Sequence, residues 1–184
     1  PRSTLFPYTT LFRSKVLAPQ GSAFGPMAEV VYNSTQYLSA ADAEAMAEYL
    51  LALPPAPVVA GRSVYPVQRA RALVDVTTAT LYETHCADCH GKTGRGRDGV
   101  YPPLAGNPQV TAADPVNLIR ITLIGAAAPT TAGNAAPHTM PPFVNRLDDA
   151  QLLAILNHVR GSWGNDAAAI TARQVMEVRA MPVE

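Results

Sequence analysis

Cysteine is almost absent from this 184-residue chain: there are two, three positions apart. A disulfide framework is thereby excluded, and the pair becomes a question of chemistry rather than of stapling. Charge is also scarce. Only 15% of residues are charged, below the usual quarter, and 14 basic side chains balance 14 acidic ones. A net charge of zero excludes nucleic-acid binding by phosphate neutralisation, which needs a basic excess. No apolar run approaches the roughly 18 residues of a membrane-spanning helix. A Ser-His-Asp order, a catalytic carboxylate pair and a metal-hydrolase motif are all missing. What remains is a chain 48% hydrophobic, enough for a real core and too apolar for disorder despite 17 prolines. Its length suits one ordinary domain plus a fragment of another.

Residues 1–14, PRSTLFPYTTLFRS, show neither the order of a secretory signal nor any helix or strand period. They resemble the in-frame translation of a sequencing-library adapter and are expected to take no part in the fold. In residues 15–38, Gly21, Gly25 and Pro26 break any period. Ser39, with Asp42 three residues on, then caps a helix whose expected apolar face is Met46, Ala47, Tyr49, Leu50 and Leu53. Pro54 and Pro55 stop it, and residues 54–66 read as a proline-stiffened linker.

A second body is expected over 67–165. Its first helix is predicted over 70–84, with Leu73, Val76, Thr77 and Leu81 on one side, and a short helix over 115–124 ended by Gly125. The last helix has Asp148 as N-cap, Gln151 at the third position and Leu147 as a staple residue. Its buried stripe is Leu152, Ile155, Leu156 and Val159, and it stops at Gly161. Residues 166–184 form a tail with one short helix capped by Thr171 and Gln174. The segment from Met27 through the Ser39-capped helix echoes that from Met140 through the Asp148-capped helix, which suggests two copies of one domain.

The chemistry concentrates in Cys86-Ala-Asp-Cys89-His90, the attachment signature of c-type haem. Two thiols three residues apart can reach the two vinyl groups of one porphyrin and form thioethers. The adjacent His90 then offers an imidazole nitrogen to the iron. A thioredoxin-like reading would need a βαβ setting, and the motif's flanks are helix and loop. A zinc site would need two further ligands at sensible spacing, and His85 would crowd the same turn.

For the opposite side of the iron the candidate is Met140, 50 residues after His90 in the loop HTMPPF, where Pro141 and Pro142 restrict the backbone. A thioether there favours the ferrous state. His138 competes from two residues away, and a core methionine filling a gap is the plain alternative. His158 is expected to serve packing within the last helix, and His85 to sit at the surface or behind a ligand. Trp163 is expected to pack the end of the last helix. Arg95, Arg97 and Arg120 are candidate partners for haem propionates, with ordinary solvated arginines as the default. Gly94 to Gly99 match G-x-G-x-x-G, yet neither a strand precedes them nor a helix follows, so dinucleotide binding is rejected.

The run LYETHCADCHGKTGRGRDGVYPPLAGN, then NLIRITLIG, MPPF and SWGN, resembles the last domain of a three-haem cytochrome c subunit of membrane-bound alcohol, gluconate and related sugar or polyol dehydrogenases. The earlier GPMAEVVYNSTQYLSAADAEAMAEYLLALPP resembles the end of that subunit's middle domain. The resemblance implies an all-α, class I cytochrome c-like domain around one covalent haem c, preceded by residues 15–53 as the C-terminal part of a second such domain. It implies Cys86 and Cys89 as attachment residues, His90 and Met140 as axial ligands, and a Pro102 or Pro103 carbonyl accepting the proximal histidine's N–H, with Leu104 packed on the ring. Met27 would be an orphan ligand of a second haem whose own C-x-x-C-H this chain does not contain. The helix after it, without its partner, is then expected to expose apolar surface. The implied role is electron transfer rather than catalysis, from a dehydrogenase catalytic subunit toward quinone or a terminal oxidase. The implied place is the periplasmic face of the inner membrane, with peripheral association through the complex. The rivals from other classes are a peroxidase-like haem enzyme and a non-haem metal or thiol module.

Overall fold

The computed structural model describes residues 23–54, 68–132 and 134–182. The expected adapter remnant at 1–14, and all of the expected linker except Pro54, lie outside the described residues.

The first described segment carries α1 (Pro26–Asn33), a 3₁₀ turn (Thr35–Tyr37) and α2 (Ala40–Ala52). α1 departs from the expected break at Gly25 and Pro26. Proline at the first helical position starts a helix instead, since the N–H it lacks would be unpaired there anyway. α2 begins as expected, with the Ser39 side chain accepting from the Asp42 amide at 3.1 Å. Its buried residues are Ala43 and Ala47. Of the expected apolar face only Ala47 is covered, while Met46, Tyr49, Leu50 and Leu53 are exposed.

The second segment carries the core. In place of one helix over 70–84 the chain makes a 3₁₀ turn (Ala70–Leu73), then α3 (Val76–His85). Asp75 is the reason for the break. Its carboxylate accepts from the Thr78 amide at 2.8 Å, and the Thr78 hydroxyl accepts from the Asp75 amide at 3.0 Å, closing a reciprocal cap. Restarting the helix there rotates the buried face: Thr78 and Tyr82 face inward and Val76 stands in solvent. One further turn, α4 (Ala87–His90), follows directly.

Beyond the loop come α5 (Pro108–Thr111) and α6 (Val116–Ile124), the latter ended by Gly125 as expected. A two-residue antiparallel ladder then pairs β1 (Ala126–Ala127) with β2 (Thr139–Met140), Ala126 opposite Met140. The segment holding Met140 is therefore paired rather than free loop. α7 (Asp149–Gly161) has the expected reciprocal cap between Asp148 and Gln151, and its stripe Leu152, Ile155, Leu156 and Val159 is buried. It packs on α3 and on the 3₁₀ turn at 70–73. A side chain at Gly161 would meet the Arg71 amide nitrogen at 2.4 Å, so only glycine lets these backbones touch. α8 (Ala172–Arg179) has the expected Thr171–Gln174 cap. The packing does not end at 165: Ile170, Val175 and Val178 join Tyr82, Ile119, Leu123, Phe143 and the α7 stripe in one core.

Candidate functional site

The Cys86–His90 motif folds as a helical turn for a local reason. The Cys86 amide completes α3 by donating to the Tyr82 carbonyl at 2.9 Å, and the His90 amide donates to the Cys86 carbonyl at 2.9 Å. Positions i, i+3 and i+4 of such a turn share one face. Cys86, Cys89 and His90 accordingly all line the same cleft, and both thiols are free and half-buried. Burial, and next the neighbouring Cys89, push the Cys86 thiol up to about 12.

Between that turn and α5 the chain doubles back. The Gly96 amide donates to the His90 carbonyl at 2.8 Å, and the Leu104 and Ala105 amides donate to the Gly94 carbonyl at 2.7 and 2.9 Å. This places the Pro102 carbonyl 3.0 Å from His90 Nδ1. A carbonyl only accepts, so Nδ1 carries the hydrogen and Nε2 keeps its lone pair. Burial holds His90 below its usual pKa, outweighing the Pro102 hydrogen bond, which acts in the opposite direction. The imidazole is thus neutral, oriented and ready to ligate. Of the two carbonyls expected, Pro102 supplies the contact. The Pro103 carbonyl instead accepts from Asn107 Nδ2 at 2.9 Å, and Pro103 does not line the cleft.

Met140 lines the same cleft, half-buried against the core, with Leu104, Leu118, Ile121, Phe143 and Ile155 among the apolar walls. The cleft encloses about 1370 Å³ of empty space, part of it open to solvent. A porphyrin fits the donor set present: two thiols and an imidazole on one turn, a thioether on another segment, and apolar walls between. Among the described residues no group of three or more His, Cys, Asp or Glu could hold a metal ion.

The other sequence candidates separate. His138 lines the cleft but is exposed, its ring 5.0 Å from Tyr101. His85 lines it too, edge-on to Phe143 at 6.2 Å. His158 is buried and stacks on Tyr82 at 5.2 Å, with Trp163 at 5.4 Å, so it serves packing as expected. Arg95, Arg97 and Arg120 do not line the cleft; Arg97 lies over the Tyr101 ring and Arg120 donates to the Pro182 carbonyl. Met27 is exposed in the first turn of α1 and away from the cleft lining. Phe24, three residues before it, does line the cleft.

Two residues that the sequence reading passed over hold the walls. Asn165 is buried; its amide donates to the Leu104 and Val159 carbonyls at 3.0 and 2.8 Å, and its oxygen accepts from the Gly106 amide at 2.9 Å. Tyr82, 1% exposed, donates its hydroxyl to the Gly91 carbonyl at 2.7 Å and so fixes the exit of the motif turn. The SWGN run was the available signal for Asn165, since an asparagine after a helix end and a glycine often bonds backbone.

A C-x-x-C-H turn, an oriented imidazole and a helical shell around an apolar cleft are the parts of a cytochrome c domain, and residues 77–163 match the cytochrome c family. Residues 77–163 thus form a cytochrome c domain, a little under half of the chain. Over most of its length it is homologous to cytochrome c subunits of dehydrogenases. It is 34% identical over 178 residues to the cytochrome c subunit of the quinone alcohol dehydrogenase of Gluconacetobacter polyoxogenes, covering 94% of this chain and 38% of that one. It is 38% identical over 166 residues to the gluconate 2-dehydrogenase cytochrome c subunit of Pantoea cypripedii, covering 86% and 37%. To the fructose dehydrogenase cytochrome subunit of Gluconobacter japonicus it is 35% identical over 179 residues, covering 86% and 37%. The chain thus spans well under half the length of these curated relatives. A cytochrome c domain with one C-x-x-C-H implies one covalent haem c. Among the described residues no helix is long and apolar enough to cross a membrane.

Proposed function

We propose that this chain transfers single electrons within a dehydrogenase assembly, through one haem c attached at Cys86 and Cys89 and ligated by His90 and Met140. The observation that carries the reading is the shared cleft: both thiols and the Pro102-oriented imidazole on one turn, and the Met140 thioether on the β2 segment lining the same space. When bound, the haem supplies a one-electron couple on its iron. The protein's part is to hold it. The two thiols anchor the porphyrin, and His90 keeps a fixed tautomer and direction. Met140, a soft donor set by β1–β2 pairing and followed by two prolines, favours the reduced form. Leu104 and the α6 and α7 side chains exclude water. With His90 and Met140 both holding the iron, the site would offer no position for a substrate, which favours a carrier over a peroxidase-like enzyme.

The relatives named above are cytochrome subunits of alcohol, gluconate and fructose dehydrogenases, and on that basis this reading takes a dehydrogenase catalytic subunit as the electron donor. Quinone, which stands in the name of the alcohol dehydrogenase relative, is the acceptor this reading favours, with a terminal oxidase as the other. The place is the periplasmic face of the inner membrane, with membrane contact made through the complex. Met27 then remains a candidate ligand for a second haem whose attachment cysteines this chain does not contain.

The full chain, expressed with haem-maturation machinery, is expected to gain the mass of one haem and show c-type absorption bands when reduced. Replacing both Cys86 and Cys89 by Ala should abolish the covalent mass. Met140→Ala should remove the near-infrared sulfur-to-iron charge-transfer band while leaving the haem attached. Retention of that band in Met140→Ala would refute the axial assignment, and free thiols without haem would refute the whole reading.

A further inference from the structure

α7 ends with a side chain that the electron-carrier reading does not use. Arg160 is 1% exposed, and its guanidinium donates to three backbone carbonyls: Ala168 at 2.8 Å, Val110 at 2.6 Å and Ala112 at 3.0 Å. Every one of these partners is neutral. Among the described residues no carboxylate lies within 4 Å of it, the ion pairs being Lys92–Glu83, Arg173–Glu177 and Arg179–Asp149. Burial lowers its pKa, but a guanidinium remains charged throughout the physiological range.

An unpaired buried cation is costly, and fastening backbone carbonyls is a task that polar uncharged side chains can perform. Its position supplies a second use for the charge. The side chains of Val110 and Val159 line the haem cleft, while Arg160 grips the Val110 carbonyl and follows Val159 in sequence. The guanidinium is therefore tied to one cleft-lining residue by a hydrogen bond and to the next through the chain. No lysine or arginine lines the cleft itself among the described residues. Arg160 is buried, so salt screens its charge little.

We infer that Arg160 is a positioning residue of an electrostatic kind, a fixed cation tied to Val110 and Val159 that biases the cleft toward the reduced state of its redox group. The inference rests on the proposed haem. Reduction by one electron, taken from the partner dehydrogenase in function or an electrode in the test, removes one positive charge from the iron. A nearby fixed cation disfavours the ferric form more than the ferrous, so it makes the site a better electron acceptor.

The test is a potentiometric titration of the full, haem-loaded chain. Each variant must first show c-type bands and the sulfur-to-iron band, so that a failure of ligation is seen separately from a failure of this inference. Arg160→Met is expected to shift the one-electron equilibrium toward the ferric form about fivefold to tenfold, the scale of a unit charge acting through an effective dielectric of about 20. Arg160→Lys, which keeps the charge and loses the fork, should stay within about twofold of the parent. A shift shared equally by Lys and Met would mean that geometry matters rather than charge, and would overturn the inference. Should Arg160→Met fail to fold, Ala113 offers a milder change, because it is exposed and lines the same surface recess as Arg160. Ala113→Glu brings a carboxylate to the guanidinium and should favour the ferric form relative to Ala113→Gln. Equal potentials for that pair would also overturn it.

Discussion

Gly125 offers a sharp test of how this fold presents Met140. It ends α6 with φ 78° and ψ −178°, a backbone region that is almost the preserve of glycine. An added Cβ would lie 2.6 Å from the Met140 carbonyl oxygen and 3.0 Å from the Pro142 nitrogen. Both neighbours are backbone, so neither can swing aside as a side chain would. Gly125→Ala therefore combines conformational strain of about 1–3 kcal/mol with overpacking of about 1–3 kcal/mol. The sum, on the order of 2–6 kcal/mol, is a large share of the roughly 5–15 kcal/mol that holds a domain together. The strain has a direction as well: it pushes on the strand that carries Met140 through the Ala126–Met140 pairing. Guanidinium denaturation of the haem-loaded protein measures the first effect, and the sulfur-to-iron band, which should weaken, measures the second. Gly164→Ala is the control, with φ 90° and nothing within 4 Å of its added carbon, and it should show backbone strain alone. If Gly125→Ala costs no more than Gly164→Ala and keeps its band, the proposed contact between α6's end and the methionine strand is wrong.

Other expectations follow from single contacts. Asn165→Ala leaves two carbonyls and one amide around the cleft wall without their partner, and should cost about 2–4 kcal/mol in chemical denaturation, with Asn165→Asp recovering little. Tyr82→Phe removes the hydroxyl that holds the Gly91 carbonyl and should cost about 1–2 kcal/mol; an unchanged midpoint would show that bond to be idle. Burial depresses the His158 pKa below 6.5, more than the Asp75 charge raises it. Above pH 6.5 both folded and unfolded states hold this ring neutral. As pH falls below 6.5 the unfolded chain takes up the proton first, so stability declines until the folded pKa is passed. His158→Phe should flatten that part of the stability–pH curve, and an identical acid limb in the variant would count against the assignment.

Local patterns in the chain carry the haem reading and most of the helix ends. Cys86, Cys89 and His90 announce haem attachment because their spacing is fixed by one porphyrin and one helical turn, both local matters. The caps at Ser39, Asp148 and Thr171 were legible for the same reason, since each bonds an amide only three residues away. The stripe from Leu152 to Val159 followed from helical period alone. Local signals also misled where two were in play. The apolar spacing across 70–84 outweighed the cap at Asp75, and Gly25 and Pro26 looked like an interruption when they start α1.

Tertiary structure decided everything that joins segments distant along the chain. That Pro102 rather than Pro103 orients His90 depends on how the loop after Gly94 turns back, which no local pattern encodes. That residues 166–182 complete the core, instead of trailing from it, depends on α8 meeting α6 and α7. The roles of Asn165 and Arg160 lie in bonds to carbonyls 6 to 61 residues away. A side chain that bonds backbone leaves no partner residue type to be recognised in sequence, because every residue has a carbonyl. Only the folded chain shows which carbonyl is within reach.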